Sequence, residues 1–176
     1  YMVQVIGFDY GDHPITYGTT DPDGPRHIVS ENLKLGASVD AELNGIPSAM
    51  SGSMPGTGGD DNDAGLATFG TSTPAGDDED GVVLSTPMIP GAQACFVVNA
   101  MNMTGSSAVL QAWVDWDGNG SFGVGEQLNT GSFAPSGATV PAGGLTNAQL
   151  CFSVPSNAVF ASGNAFVRFR LSPLGG

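Results

Sequence analysis

The segment DWDGNGSFGVGE, Asp115 to Glu126, sets oxygen donors at the spacing of a twelve-residue cation loop. Asp115, Asp117 and Asn119 supply side-chain oxygens from positions 1, 3 and 5, and Gly120 permits the sharp turn at position 6. Ser121 offers its backbone carbonyl at 7, Gly123 stands over a water at 9, and Glu126 closes the set with two carboxylate oxygens. Six to eight hard oxygens on a flexible loop with several negative charges is the ligand set calcium takes. In a chain of this composition the whole pattern arises by chance about once in a thousand. The competing reading is a solvated Asp-Gly hairpin. Phe122, at position 8, gives the loop an apolar anchor.

The entering segment Gln111-Ala112-Trp113-Val114 alternates polar-facing and core-facing positions, so a strand and not a helix feeds the loop. A cation here would brace the edge of a sheet and would not open a helix pair. Of the 17 acidic residues, 14 fall into five short groups. Besides the loop these are Asp9 and Asp12; Asp40 and Glu42; Asp60, Asp61 and Asp63; and Asp77, Asp78, Glu79 and Asp80. If the groups converge, their mutual repulsion calls for further cations, giving two or more calcium ions in all.

Strands must position these groups. Residues 81–171 read as alternating segments bounded by turn residues: Gly81–Ser85, Ala94–Ala100, Val109–Asp117, Gln149–Val154 and Ala165–Leu171. Their period assigns a core of Phe96, Val98, Leu110, Ala112, Val114, Trp116, Leu150, Phe152, Val154, Val167, Phe169 and Leu171. No stretch sustains a helical period. The expected fold is all-β, an immunoglobulin-like β-sandwich with a long loop-rich, calcium-bound N-terminal region. Residues 1–7 form an N-terminal strand and 8–176 a single domain, loop-rich over 8–80 and strand-rich over 81–176. Residues 48–80 are nearly core-free, and bound metal would be needed to order them. Cys95 and Cys151 fall out of phase with the core set. A disulfide between them would therefore join neighbouring strands of one sheet on an outer face, in an oxidising compartment. Closing that loop would stabilise by roughly 4 kcal/mol.

Composition narrows the partners. Acidic residues outnumber Lys and Arg by 17 to 4, a net charge of −13. That balance excludes the basic footprint nucleic acid and anionic membranes require. No apolar run reaches the roughly 20 residues of a membrane span. A hydrolase would need a tuned acid/base pair, yet only His13 and His27 carry imidazoles. His27 reads as a satisfied structural histidine, and the paired carboxylates lie in calcium-type loops. The expectation is that the chain is not an enzyme. Asn102-Met-Thr104 is a glycosylation acceptor sequon in an expected turn, and Tyr17 and Trp113 are candidate exposed platforms for sugar.

The segments FDYGDHP (8–14), Tyr17, GPRH (24–27), LGASVDAE (35–42), GDD (59–61), DDEDGV (77–82), AWVDWDGNG (112–120) and VRFRLS (167–172) together resemble the GEVED domain. The resemblance covers nearly the whole chain in order. It implies a calcium-rich β-sandwich without catalytic activity, from large secreted and cell-surface proteins of bacteria. It also implies that Asp9, Asp12, Asp40, Glu42, Asp60, Asp61, Asp78, Glu79 and Asp80 are motif positions. The family's C-terminal Gly-Glu-Val-Glu-Asp-Tyr strand is missing after SPLGG, while the opening YMVQVIG looks like the tail of one. Tyr1, Met2, Val3, Gln4, Val5 and Ile6 would then be an assembly strand donated to a neighbouring unit. The function expected on this reading is a structural calcium-binding module of an extracellular fibre or cell-surface array, assembling head-to-tail with copies of itself or adjacent repeats. The alternative is an adhesin or carbohydrate-binding module meeting surface glycans.

Overall fold

The computed structural model describes residues 8–10, 13, 15–37, 39, 81–160 and 165–173. Its spine is the ten-residue strand β5, Gln93–Asn102. Ala94, Phe96, Val98, Ala100 and Asn102 point into the core and are buried. Strand β8, Leu145–Ser153, pairs antiparallel with one edge of β5. Two short strands, β3 (Leu33–Leu35) and β4 (Val82–Leu84), lie end to end along the other. Thus Ala100 is opposite Leu35 and Leu145, while Phe96 is opposite Leu84 and Leu150.

The junction of β3 with β4 depends on a glycine. The Gly36 amide donates to the Asn99 carbonyl, and the Asn99 amide donates to that of Gly81. A Cβ on Gly81 would lie 2.5 Å from the Gly36 nitrogen and 2.6 Å from Leu35 Cβ. Only a residue without a side chain lets the two strands abut. Residues 33–35 and 82–84 therefore share a single line of the sheet.

The second sheet has order β7–β6–β9, with β6 (Ala108–Val114) central between β7 (Ala138–Val140) and β9 (Val167–Ser172). Ala108, Leu110, Ala112 and Val114 face inward and are fully buried. Phe96 stacks on Phe152 of the neighbouring strand and, across the interior, meets Phe169 edge-on, both at 5.0 Å between ring centroids. The Phe96–Phe169 contact joins the two sheets, so the fold is all-β and sandwich-like. A small antiparallel pair, β1 (Phe8–Tyr10) with β2 (Arg26–Ile28), forms a separate two-stranded sheet.

Every residue of the expected core set lies in this cluster, with Leu150, Phe169 and Leu171 only partly buried at its margin. Phe133 and Val140 are additional core residues, both fully buried. They sit on a 3-10 turn, Gly131–Phe133, and on β7, elements too short to show a period. Cys95 and Cys151 are directly opposed on β5 and β8 and are bonded, with Cα atoms 4.0 Å apart. The bridge joins neighbours within one sheet, as their phase predicts. Beyond it, the outer edge of β8 is capped by hydroxyls: the Cys151 and Ser153 amides donate to Ser132 Oγ and Thr130 Oγ1.

Candidate metal centre

Strand β6 ends at Val114, and the chain turns back so that 126–128 run antiparallel beside 112–114. The Val114 amide donates to the Glu126 carbonyl, the Leu128 amide to that of Ala112, and Trp113 bridges to Gln127. This return brings the first and last positions of the loop side by side at its base. Asp115 is fixed to the neighbouring strand as well, its amide donating to the Phe166 carbonyl. Gly118 and Gly120 take left-handed backbone angles, φ 69° and 81°, which ordinary side chains seldom adopt.

One oxygen each of Asp115, Asp117 and Glu126 lies within 4.8 Å of the others. Asp115 and Glu126 are 3% and 6% exposed, while Asp117 faces solvent. Asp115 Oδ1 accepts from the amides of Gly118 and Asn119, and Oδ2 from the Gly120 amide and the Tyr17 hydroxyl at 2.7 Å. Burial by itself would raise its pKa. The Tyr17 hydroxyl and the three amides outweigh it and hold the carboxyl below the usual range. Glu126 Oε1 accepts from the Trp116 amide and Oε2 from that of Gly123.

The donor set suits a hard divalent cation. Each Glu126 oxygen accepts one hydrogen bond and keeps a lone pair, as does Asp117, whose Oδ1 takes only the Asn119 amide. Asp115 already has four donors, and Asn119 Oδ1 accepts from both the amide and hydroxyl of Ser121. Those two would share or exchange hydrogen bonds for the metal. None of the three carboxylates has an ion-pair partner among the described residues.

An aromatic clamp holds the loop from outside. Tyr17, on a 3-10 turn at Ile15–Tyr17, packs on Phe122 and Phe166, both at 4.9 Å. Arg168 donates from Nη2 to the Tyr17 carbonyl and sits 4.6 Å over the Phe122 ring. His13 donates from Nε2 to the Val167 carbonyl and meets Phe122 edge-on at 5.4 Å. Burial and the Arg168 charge push the His13 pKa down to about 4, against the opposing pull of that hydrogen bond. The Tyr17 hydroxyl is pushed up by burial, by its bond to Asp115 and by the charges of Asp115 and Glu126. The signal in sequence was Phe122, the apolar anchor at position 8 of the loop.

Other expected residues fare differently. Tyr17 is 7% exposed, so it is no platform for sugar. The glycosylation reading of Asn102 is also corrected, because Asn102 ends β5 fully buried. Its amide donates to the carbonyls of Ser106, Val140 and Pro141, and its Oδ1 accepts from Thr104, so nothing is left to carry a glycan. His27 accepts from Arg170 Nε at 3.1 Å, as a structural histidine should. Asp9 lies on β1 opposite His27, outside the loop cluster. Asp12, Asp40, Glu42, Asp60, Asp61, Asp78, Glu79 and Asp80, with Tyr1 to Ile6, lie outside the described residues. A cleft of roughly 180 Å³ between Trp116, Leu128 and Val154 is smaller than the few hundred Å³ of ordinary ligand sites.

Comparison with family models, with curated proteins and with solved structures finds no match to this chain.

Proposed function

We propose that the Asp115–Glu126 loop binds one calcium ion and that the chain is a calcium-stiffened structural module of an extracellular fibre or surface layer. The observation that carries this reading is the trio of Asp115, Asp117 and Glu126, two of them buried, without a cationic partner among the described residues. Buried like charges are costly unless a cation relieves them, and calcium supplies that charge to an all-oxygen set. Asp115, Asp117, Asn119, Glu126 and the Ser121 carbonyl would hold it. The disulfide in the partner sheet suits an oxidising exterior, and the engaged states of His13 and His27 suit a module without catalysis.

We read the sandwich as immunoglobulin-like and GEVED-like, with units joined by strand donation. Support comes from β9, which pairs with β6 alone among the described residues. Because Asp115 and Phe166 form a hydrogen-bonded pair, alternation turns the backbone groups of Phe169 and Leu171 away from β6. Such an edge accepts a further strand. Calorimetry with added calcium tests the metal reading. The melting temperature of the wild type should rise with calcium, and that of Asp117→Ala and Glu126→Gln should rise much less. Equal shifts in all three proteins would refute it.

A further inference from the structure

We propose that Tyr17 is a positioning residue that couples calcium binding to the docking of residues 15–28, with His13, on the second sheet. The inference rests on the calcium reading of the loop and names what regulates it. Tyr17 joins two parts of the chain that share no backbone pairing among the described residues: its hydroxyl holds Asp115 Oδ2, and its ring holds Phe122. Asp115 is position 1 of the loop and Phe122 position 8, so one side chain grips both halves of the turn. Arg168 and His13 complete the clamp from β9 and the N-terminal segment. Arg168 binds the Tyr17 carbonyl beneath the Phe122 ring, and His13 binds the Val167 carbonyl. The segment continues to β2, where His27 receives Arg170 from the same strand. Residues 15–28, with His13, are thus a strap over β9 whose buried anchor is a loop carboxylate.

Two consequences follow. With the strap docked, the Asp115 carboxylate plane and the Phe122 end of the loop are fixed in advance, so calcium orders less chain when it binds. By linkage, calcium must favour strap docking by the same factor. The strap also places His13 on the Val167 carbonyl, at one end of the open edge of β9, so calcium would control how much of that edge is free.

The test uses the full chain with calcium alone as probe. Titration calorimetry gives the affinity, and hydrogen exchange reads the amides of 15–28 with and without calcium. Tyr17→Phe keeps the ring contacts and removes the donor, while Arg168→Met removes the bond to the Tyr17 carbonyl and the guanidinium over Phe122 and leaves every candidate ligand in place. Both variants should bind calcium about three- to tenfold more weakly, the ordinary net contribution of one hydrogen bond. Both should also lose most of the calcium-induced protection of 15–28, while exchange of the β5 and β8 amides stays as in the wild type. A merely structural Tyr17 would instead lower stability equally with calcium and with chelator. Wild-type protein that takes no calcium would overturn the metal reading and the coupling together. If wild type binds, then unchanged or tighter affinity in Tyr17→Phe, or protection of 15–28 that ignores calcium, overturns the coupling alone.

Discussion

Buried Asn102 donates to three carbonyls and accepts from Thr104, closing the turn between β5 and β6. Asn102→Ala leaves those carbonyls without a donor and opens a small void. It should cost about 2–4 kcal/mol in urea unfolding, well above a surface substitution. A loss under about 0.5 kcal/mol would show that water replaces the amide. His13 makes a pH prediction of definite sign. Its folded pKa, about 4, lies below the ordinary 6.5, so the unfolded chain takes up the proton first as pH falls. Its stabilising effect is complete above about pH 6.5 and is lost as pH falls toward 4. His13→Gln keeps an amide donor without the titration, and should flatten that part of the melting temperature–pH profile. An unchanged slope would assign the acid sensitivity to other groups.

Elements here are held by contacts between backbones as much as by side chains. Because β3 and β4 meet at Gly81, Gly81→Ala forces the Leu35–Gly36 backbone to move, and should destabilise by about 1–3 kcal/mol. A neutral substitution would mean that the junction yields freely. The Cys95–Cys151 bridge ties β5 to β8 over a sequence separation of 56. Replacing both cysteines with alanine should lower unfolding free energy by about 2–4 kcal/mol. The hydroxyl caps on β8 predict a subtler effect. Ser132→Ala frees the Cys151 amide at a sheet edge, where a second chain can pair with it, and light scattering on heating should rise relative to wild type.

At the scale of the whole molecule, the two sheets differ in what closes them. β8 has its outer edge covered by the Thr130–Ser132 turn, whereas β9 presents Phe169 and Leu171 backbone groups toward no partner among the described residues. Strand donation by Tyr1 to Ile6 is the occupant our functional reading assigns to such an edge, and a donated strand propagates head-to-tail into a filament. Deleting residues 1–6 should therefore abolish assembly, read by analytical ultracentrifugation in calcium, while leaving the monomer folded. A truncated chain that assembles like the intact one would exclude donation. The acidity of the chain, net −13, would make such an assembly sensitive to salt as well.

The long strands β5, β6, β8 and β9 were legible in sequence because a period of two is local, and it also placed the two cysteines out of phase with the core. The loop was legible for the same reason, since its oxygens come from consecutive residues whose spacing is their geometry. The strap was not. Tyr17 reaches Asp115 across 98 residues, and His13 reaches Val167 across 154, so no local pattern could pair them. Asn102 misled for a related reason: a sequon specifies three residues, whereas burial depends on Val140 and Pro141 arriving from another strand. Sequence alone determined which residues alternate, which oxygens share a loop and which sign of charge the chain carries. Tertiary structure decided which aromatic rings and which donor meet that loop, because only folding brings distant segments within hydrogen-bond reach.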